Sequence, residues 1–386
     1  MKLWQTSKVK LATDALREAI EFKRIALMMN TSAISNDGRL LIDVIASDWK
    51  SDVAFFFGME HGVRGNLYAA DPVLDKVDEK TGIEIVSLYD FPGFLPPAEE
   101  IAKVDAVVFC AQDTGVRHWT YTPWLLSLMD GAAKVGTQVI VLDRPNPIRG
   151  DIVEGAPCEH KYEHQKFLTG FPYPLRHGMT VGELAIMYNE TANLGCNLTV
   201  LPMEGYRRDM WYRDTGLIWM PPSPNIPTEA SSLYFAATGL LQASNISYGI
   251  GTTTPFQYIG APWIDGEWLA DALNSLNLPG VFFVSKYYQA RVLKEMVLCD
   301  GAMMIIDNEE AFRPVTLQLH IMDVLSQKYG NKFDLEVDKI HGRCRMGTDR
   351  IIDAAQNGTR IADLIPEWER GAEEFKKLRE KYLLYQ

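Results

Sequence analysis

Between residues 24 and 142 the chain alternates short, unbroken apolar runs with stretches of helical periodicity. The runs fall at 24–29 (RIALMM), 52–58 (DVAFFFG), 83–88, 106–110 (AVVFC) and 138–142 (QVIVL), and helical spacing occupies 40–49 and 119–135. A run without polar alternation suits a strand buried on both faces. The pattern therefore predicts a parallel sheet covered by helices on each side, with right-handed crossovers. Thr180, followed three residues later by Glu183, has the spacing of a capping box and opens a helix to about Asn189. A doubly wound α/β domain is expected over about residues 1–195.

The texture then changes. Residues 198–203 read as the first strand of a second unit. Residues 219–228 (WMPPSPNIPT) hold four prolines, which excludes a helix or a central strand. Residues 249–262 (GIGTTTPFQYIGAP) read as another long loop, and such loops in compact proteins are usually functional. Helical spacing returns at 231–243, 316–328, 348–357 and 368–384, with strands expected at 280–284 and 301–306. The second unit is expected to be a smaller α/β domain over 196–386.

Charge narrows the partners. The 386 residues include 50 acidic and 38 basic side chains, a formal net charge of −12. No lysine- or arginine-rich run reverses that field locally, so no nucleic acid partner is expected. Five cysteines (Cys110, Cys158, Cys196, Cys299 and Cys344) show no metal-ligand spacing and imply no disulfide framework. Cys110 and Cys299 sit in apolar runs and are expected to be buried. His160 and His164 stand four apart in a charged stretch and read as solvated. No segment approaches the ~20 apolar residues of a membrane span. The opening residues 1–5 lead into a polar stretch rather than a signal core, so the chain as it stands reads as cytoplasmic. Nothing in the sequence assigns an oligomeric state.

In an open parallel sheet, ligands bind beyond the carboxyl ends of the strands. The turns after the predicted strands present Asn30; Glu60, His61 and Arg64; Gln112, Asp113 and Arg117; and Asp143 and Arg144. Glycine spacing for a dinucleotide, a phosphate-binding loop, a Gly-x-Ser-x-Gly elbow and a His-Glu-x-x-His zinc motif are all missing. No cofactor and no metal are expected. Glycosidic hydrolysis is the chemistry that carboxylates perform unaided: one carboxyl protonates the leaving oxygen and a second carboxylate activates water or stabilises the cation. Glu60 follows the apolar residues FFFGM, where desolvation would raise its pKa, and is the candidate acid. The competing reading pairs it with Arg64. Asp113 and Asp143 are the candidate second carboxylates. Tyr89, Trp119, Tyr121, Trp124 and Trp219 lie near these turns and suit stacking on a sugar.

Several long, unusual strings follow one another in order: Glu60-His61-Gly62-Val63-Arg64-Gly65, Gln112-Asp113-Thr114-Gly115-Val116-Arg117, and Leu142-Asp143-Arg144-Pro145-Asn146-Pro147-Ile148. Residues 176–185 (RHGMTVGELA), 222–228 (PSPNIPT), 252–256 (TTTPF) and 260–263 (GAPW) continue the series. Through them the chain resembles, over residues 24–385, the bacterial exo-β-N-acetylmuramidase family of glycoside hydrolases. The resemblance implies a Rossmann-like domain that carries the cleft and a smaller α/β domain that helps close it. It implies release of N-acetylmuramic acid from the non-reducing end of peptidoglycan fragments, with Glu60, in the Glu-His-Gly string, as the catalytic glutamate. Asn225 and Asn245 join the expected sugar contacts on the same basis. Arg64, Arg117, Arg144 and His177 are the groups expected to hold the lactyl carboxylate of such a substrate.

The chain also departs from that pattern. Where the family has Glu-Gly-Thr-Asn and Ser-Glu-Gly-Arg-Gly-Thr, this sequence reads Gln242-Ala243-Ser244-Asn245 and Ser247-Tyr248-Gly249-Ile250-Gly251-Thr252. Gln242 and Tyr248 replace carboxylates, Ile250 replaces a guanidinium, and Met59 stands where proline is usual. Isoleucine cannot make the paired hydrogen bonds that arginine makes with a carboxylate. Three readings follow: a hydrolase of a β-linked amino sugar, a non-catalytic muropeptide-binding protein, and an enzyme on another carbohydrate conjugate. In the first, Asp113 or Asp143 activates water, or the substrate's own N-acetyl group assists.

Overall fold

The computed structural model describes residues 7–67, 76–88, 95–162, 172–338 and 342–386. Residues 1–5, Tyr89 and His164, singled out above, lie outside these. Seven strands form the principal sheet: β1 (Arg24–Met29), β2 (Asp52–Gly58), β3 (Lys76–Val77), β4 (Glu84–Ser87), β5 (Ala106–Cys110), β6 (Gln138–Leu142) and β7 (Leu198–Leu201). Their order is β3-β4-β2-β1-β5-β6-β7. All neighbours pair in parallel except β3, a two-residue edge strand antiparallel to β4. The order reverses between β1 and β5, which opens a crevice at the carboxyl edge.

Strand periodicity divides the core cleanly. Leu27, Phe56, Val108 and Ile140 face one side, where Leu16 and Ile20 of α1 (Thr13–Ile20) and Leu41 and Ile45 of α2 (Leu41–Asp48) cover them. Met28, Phe57, Phe109 and Val141 face the other side, against α4 (Tyr121–Val135) and α5 (Val181–Thr191). A short α3 (Ala98–Ile101) precedes β5, and α6 (Tyr212–Thr215) follows β7. The capping box at Thr180 is present: Thr180 N donates to Glu183 Oε2 at 3.0 Å, and Glu183 N donates to Thr180 Oγ1 at 3.3 Å.

The strand expected to begin a second unit instead completes the first sheet. β7 pairs with β6 from Val139↔Leu198 to Leu142↔Leu201. It is half-buried throughout, as an edge strand is, and so lacks the apolar run of the central strands.

Beyond it lie α7 (Ser231–Thr238), β8 (Tyr258–Ala261), α8 (Gly266–Ser275), β9 (Val281–Val292), β10 (Glu295–Ile306), α9 (Pro314–Tyr329), α10 (Gly342–Met346), α11 (Arg350–Asn357) and α12 (Ile365–Arg379). The second sheet is antiparallel, in the order β8-β10-β9. The two strands expected here are only the inner ends of a hairpin with twelve residues in each strand. Its outer half carries Lys286, Gln289, Arg291 and Glu295 in solvent, which hid it from an apolar-run search. The end of the expected loop at 249–262 is β8, whose Ile259 and Ala261 are fully buried.

One apolar core joins both parts, running from Phe57 and Phe109 through Trp124 and Leu240 to Phe312 and Phe375. All five cysteines are buried. No helix among the described residues is long and apolar enough to cross a membrane.

Candidate active site

A cleft of about 600 Å³ lies between the carboxyl edge of the principal sheet and the second part of the chain. The first part contributes Glu60 and His61 from the turn after β2, and His118, Trp119 and Thr120 from the approach to α4. Asn225 enters from the proline-rich segment. The second part supplies Gln242, Tyr248, Ile250, Arg291 on β9 and Arg345 on α10.

The Glu-His-Gly string is a sharp turn. His61 and Gly62 both adopt left-handed backbone, with φ of 70° and 73°. Histidine tolerates that region better than most side chains, and glycine enters it freely. Gly62 N donates to Met59 O at 2.9 Å, and Leu67 N donates to His61 O at 3.2 Å, closing the turn at both ends. The reversal sets Glu60 at the cleft surface, where Thr120 Oγ1 donates to its Oε2 at 2.8 Å. His61 Nδ1 donates to Leu67 O at 3.0 Å, which makes Nε2 the acceptor of the neutral ring.

The competing partner for Glu60 is engaged elsewhere. Arg64 donates to both oxygens of Asp78, at 2.8 and 2.6 Å, and to Asp43 at 2.8 Å. The Arg64 hydrogen bonds hold Asp78 down to about 2.

Most of the other expected site residues lie beneath the cleft or behind its wall. Asp113 accepts from Gly115 N and from Thr122 Oγ1, the latter at 2.9 Å, and faces His177 Nε2 at 3.3 Å. His177 Nδ1 accepts from Met179 N, so its ring proton points at Asp113. Asp143 is fully buried and receives four donors: Arg144 N, Gly182 N, Thr180 Oγ1 and the Tyr385 hydroxyl, at 2.6–3.0 Å. Burial pushes its pKa up to about 6 against the pull of those donors.

The Arg117 guanidinium is buried among the carbonyls of Ala156, Tyr173 and Met346, and so ties α10 to the first part of the chain. Arg144 Nε donates to Gln112 Oε1, and Gln112 Nε2 donates to the carbonyls of Asp113 and Pro145. Asn30 donates to the Tyr121 hydroxyl at 2.6 Å, and that hydroxyl donates to Pro222 O at 2.6 Å. This relay fixes the proline-rich segment that carries Asn225. Asn245 is a peptide mimic behind the cleft: it donates to Lys332 O and accepts from Asp334 N. Among the aromatic candidates, Trp119 lines the cleft, Trp124 is core, and Trp219 donates to Ile226 O.

Of the expected set, the cleft thus gathers Glu60, His61, Trp119 and Asn225. It adds His118, Tyr248, Arg291 and Arg345. Neither ring nitrogen of His118 has a hydrogen-bond partner among the described residues, and the ring packs on Phe235 at 4.6 Å. Burial, with Arg117 and Arg345 nearby, pushes it down to about 3. Arg291 and Arg345 carry no local sequence signal; only the fold brings β9 and α10 to Glu60. Among the described residues no three His, Cys, Asp or Glu side chains converge as a metal would require.

Comparison with known proteins agrees along the whole chain. The family model for exo-β-N-acetylmuramidase NamZ, N-terminal, matches residues 25–230, and its C-terminal counterpart matches residues 233–385. The junction between them falls after β7 and before β8. The peptidoglycan β-N-acetylmuramidase NamZ of Bacillus subtilis (strain 168) is 35% identical over 387 aligned positions, covering 98% of this chain and 92% of that protein. Crystal structures of two DUF1343 family proteins from Bacteroides fragilis NCTC 9343 match with TM-scores of 0.88 and 0.75, at 31% and 28% identity. Each comparison covers 98% of this chain and 99% of the other.

Proposed function

This chain belongs to the exo-β-N-acetylmuramidase family, and on that premise we propose that it hydrolyses the bond to a terminal β-linked N-acetylmuramic acid in peptidoglycan fragments, with Glu60 as general acid. The observation that carries this reading is the position of Glu60. Among the described residues that line the cleft it is the one carboxylate, and it sits at the carboxyl edge of the sheet beside the order reversal. Thr120 holds its carboxyl in one orientation. As the glycosidic bond breaks, the leaving oxygen takes the Glu60 proton, water adds to the anomeric carbon, and the proton that this water releases restores the Glu60 carboxyl. His61 and the Asn225 amide, both lining the cleft, bind sugar hydroxyls in this reading, and Trp119 offers a ring face.

The test compares two aryl N-acetylmuraminides of different leaving-group pKa on the wild type and on Glu60→Gln. The amide keeps the size of the side chain but carries no transferable acid proton. We expect kcat to fall more than ~10²-fold on the poor leaving group and far less on the good one, with the melting temperature retained. An equal deficit on both substrates with a lowered melting temperature would remove Glu60 from the acid role. Tight muropeptide binding without turnover by the wild type would favour the binding-protein reading instead.

A further inference from the structure

The two guanidinium groups of the cleft differ in how they are held. Arg345 donates through Nη1 to Asp338 Oδ2 at 2.6 Å, and its side chain is mostly buried. Arg291 is exposed at the end of β9, and no carboxylate pairs with it among the described residues. Its backbone is fixed nonetheless. Arg291 N donates to Ile250 O at 2.8 Å, which stitches the hairpin to the loop holding Tyr248 and Ile250.

That approach depends on Gly251, whose φ is 86°. A Cβ there would stand 3.2 Å from both Arg291 N and Met296 Sδ. Tyr248, stacked on Phe256, lies within the electrostatic reach of Arg291 and Arg345 together. The cleft therefore has a cationic corner, and one of its two cations has no counter-ion among the described residues. In a chain of net charge −12, such a corner is suited to an anionic ligand group.

We propose that Arg291 makes this cleft selective for an acidic sugar, its guanidinium receiving the carboxylate of the substrate's lactyl group while Arg345 supplies the second positive charge. The proposal rests on the muramidase reading above and names its specificity residue. It also accounts for Ile250. The position that lacks the family's guanidinium is bonded, backbone to backbone, to the residue that brings one from the neighbouring hairpin. Arginine suits the task because its fork matches both carboxylate oxygens.

The experiment is calorimetry with four probes, N-acetylmuramic acid, its methyl ester, N-acetylglucosamine and N-acetylglucosamine 6-phosphate, on wild type, Arg291→Met and Arg291→Lys. The wild type should bind the acid about 10- to 100-fold more tightly than the ester, the range expected of a charge-assisted pair. Arg291→Met should erase that advantage, and Arg291→Lys should restore part of it. In turnover, the preference for an aryl muraminide over the glucosaminide should fall by the same factor, through KM more than kcat. An acid-to-ester advantage that persists in Arg291→Met would overturn the proposal. So would an Arg291-dependent preference for N-acetylglucosamine 6-phosphate over the acid, which would assign the corner to a phosphate. An Arg291-dependent preference for the acid in a wild type that turns over no muraminide would uphold the corner and remove only the hydrolase reading.

Discussion

Two polar regions meet at the carboxyl edge of the principal sheet, one beneath the cleft and one forming its far wall. Beneath it, Asp113, Arg117, Asp143, Arg144 and His177 are each 5% exposed or less, and each is bound to neighbouring backbone or side chains. In the wall, Asn225, Tyr248, Ile250 and Arg345 are half-buried, Arg291 is exposed, and polar partners are sparse. Most polar atoms of the lower region are engaged by the protein, Arg117 Nε and Arg144 Nη1 excepted, so it fixes turns and joins segments. The wall leaves capacity for a ligand. Location at a strand end is thus a weak guide to function, because a buried polar group must be satisfied before anything else.

The contrast can be strained hardest at His118, the wall group most thoroughly cut off from solvent. Its folded-state pKa is pushed down to about 3, against about 6.5 when unfolded. Below about pH 6.5 the unfolded chain therefore takes up a proton that the folded chain refuses, so stability falls as the pH drops towards 3 and is fully present above 6.5. Urea denaturation at pH 7 and pH 4 should show a loss from this group of about 3 kcal/mol. His118→Gln should lose correspondingly less. The same slope in both proteins would show that the ring is solvated.

The lower region predicts an effect on stability without one on rate. Thr180 Oγ1 accepts from Glu183 N, and the Tyr385 hydroxyl accepts from Met203 N, so both must donate to Asp143. An amide nitrogen in place of Oδ2 would face those two donors. Asp143→Asn should cost about 2–4 kcal/mol in chemical denaturation, with kcat per folded molecule within about twofold of wild type. A large rate loss at unchanged stability would return Asp143 to catalysis.

The smallest effect belongs to Asn245, which ties residue 245 to 332–334 behind the wall. Asn245→Ala should cost about 1 kcal/mol and leave the muraminide-to-glucosaminide preference as it was. A shift in that preference would draw the boundary of the site further back.

The sheet was legible because its central strands are uninterrupted apolar runs, and each of the five was found. β7 was misplaced in the second unit because an edge strand shares its surface with solvent. The outer hairpin was missed because its exposed face is polar. The place of Glu60 at the cleft was legible from its position after an apolar strand. Arg291 and Arg345 were not, since each sits in an unremarkable local sequence and gains meaning only when the second part of the chain packs against the first. Asp143 shows the opposite case. Its strand-end position is that of a catalytic carboxylate, but the donors that occupy it come from residues 37 and 242 positions away.

That longer bond bears on how the protein is made. Residues 143 and 385 are joined by a hydrogen bond, and Gln386 O receives Arg208 N nearby. Chain growth at about 5–20 residues per second separates their arrival by about 12–50 s. Through that interval Asp143 lacks the Tyr385 donor. The part of the chain that carries Glu60 thus receives one of its buried closing contacts from a residue made 242 positions later.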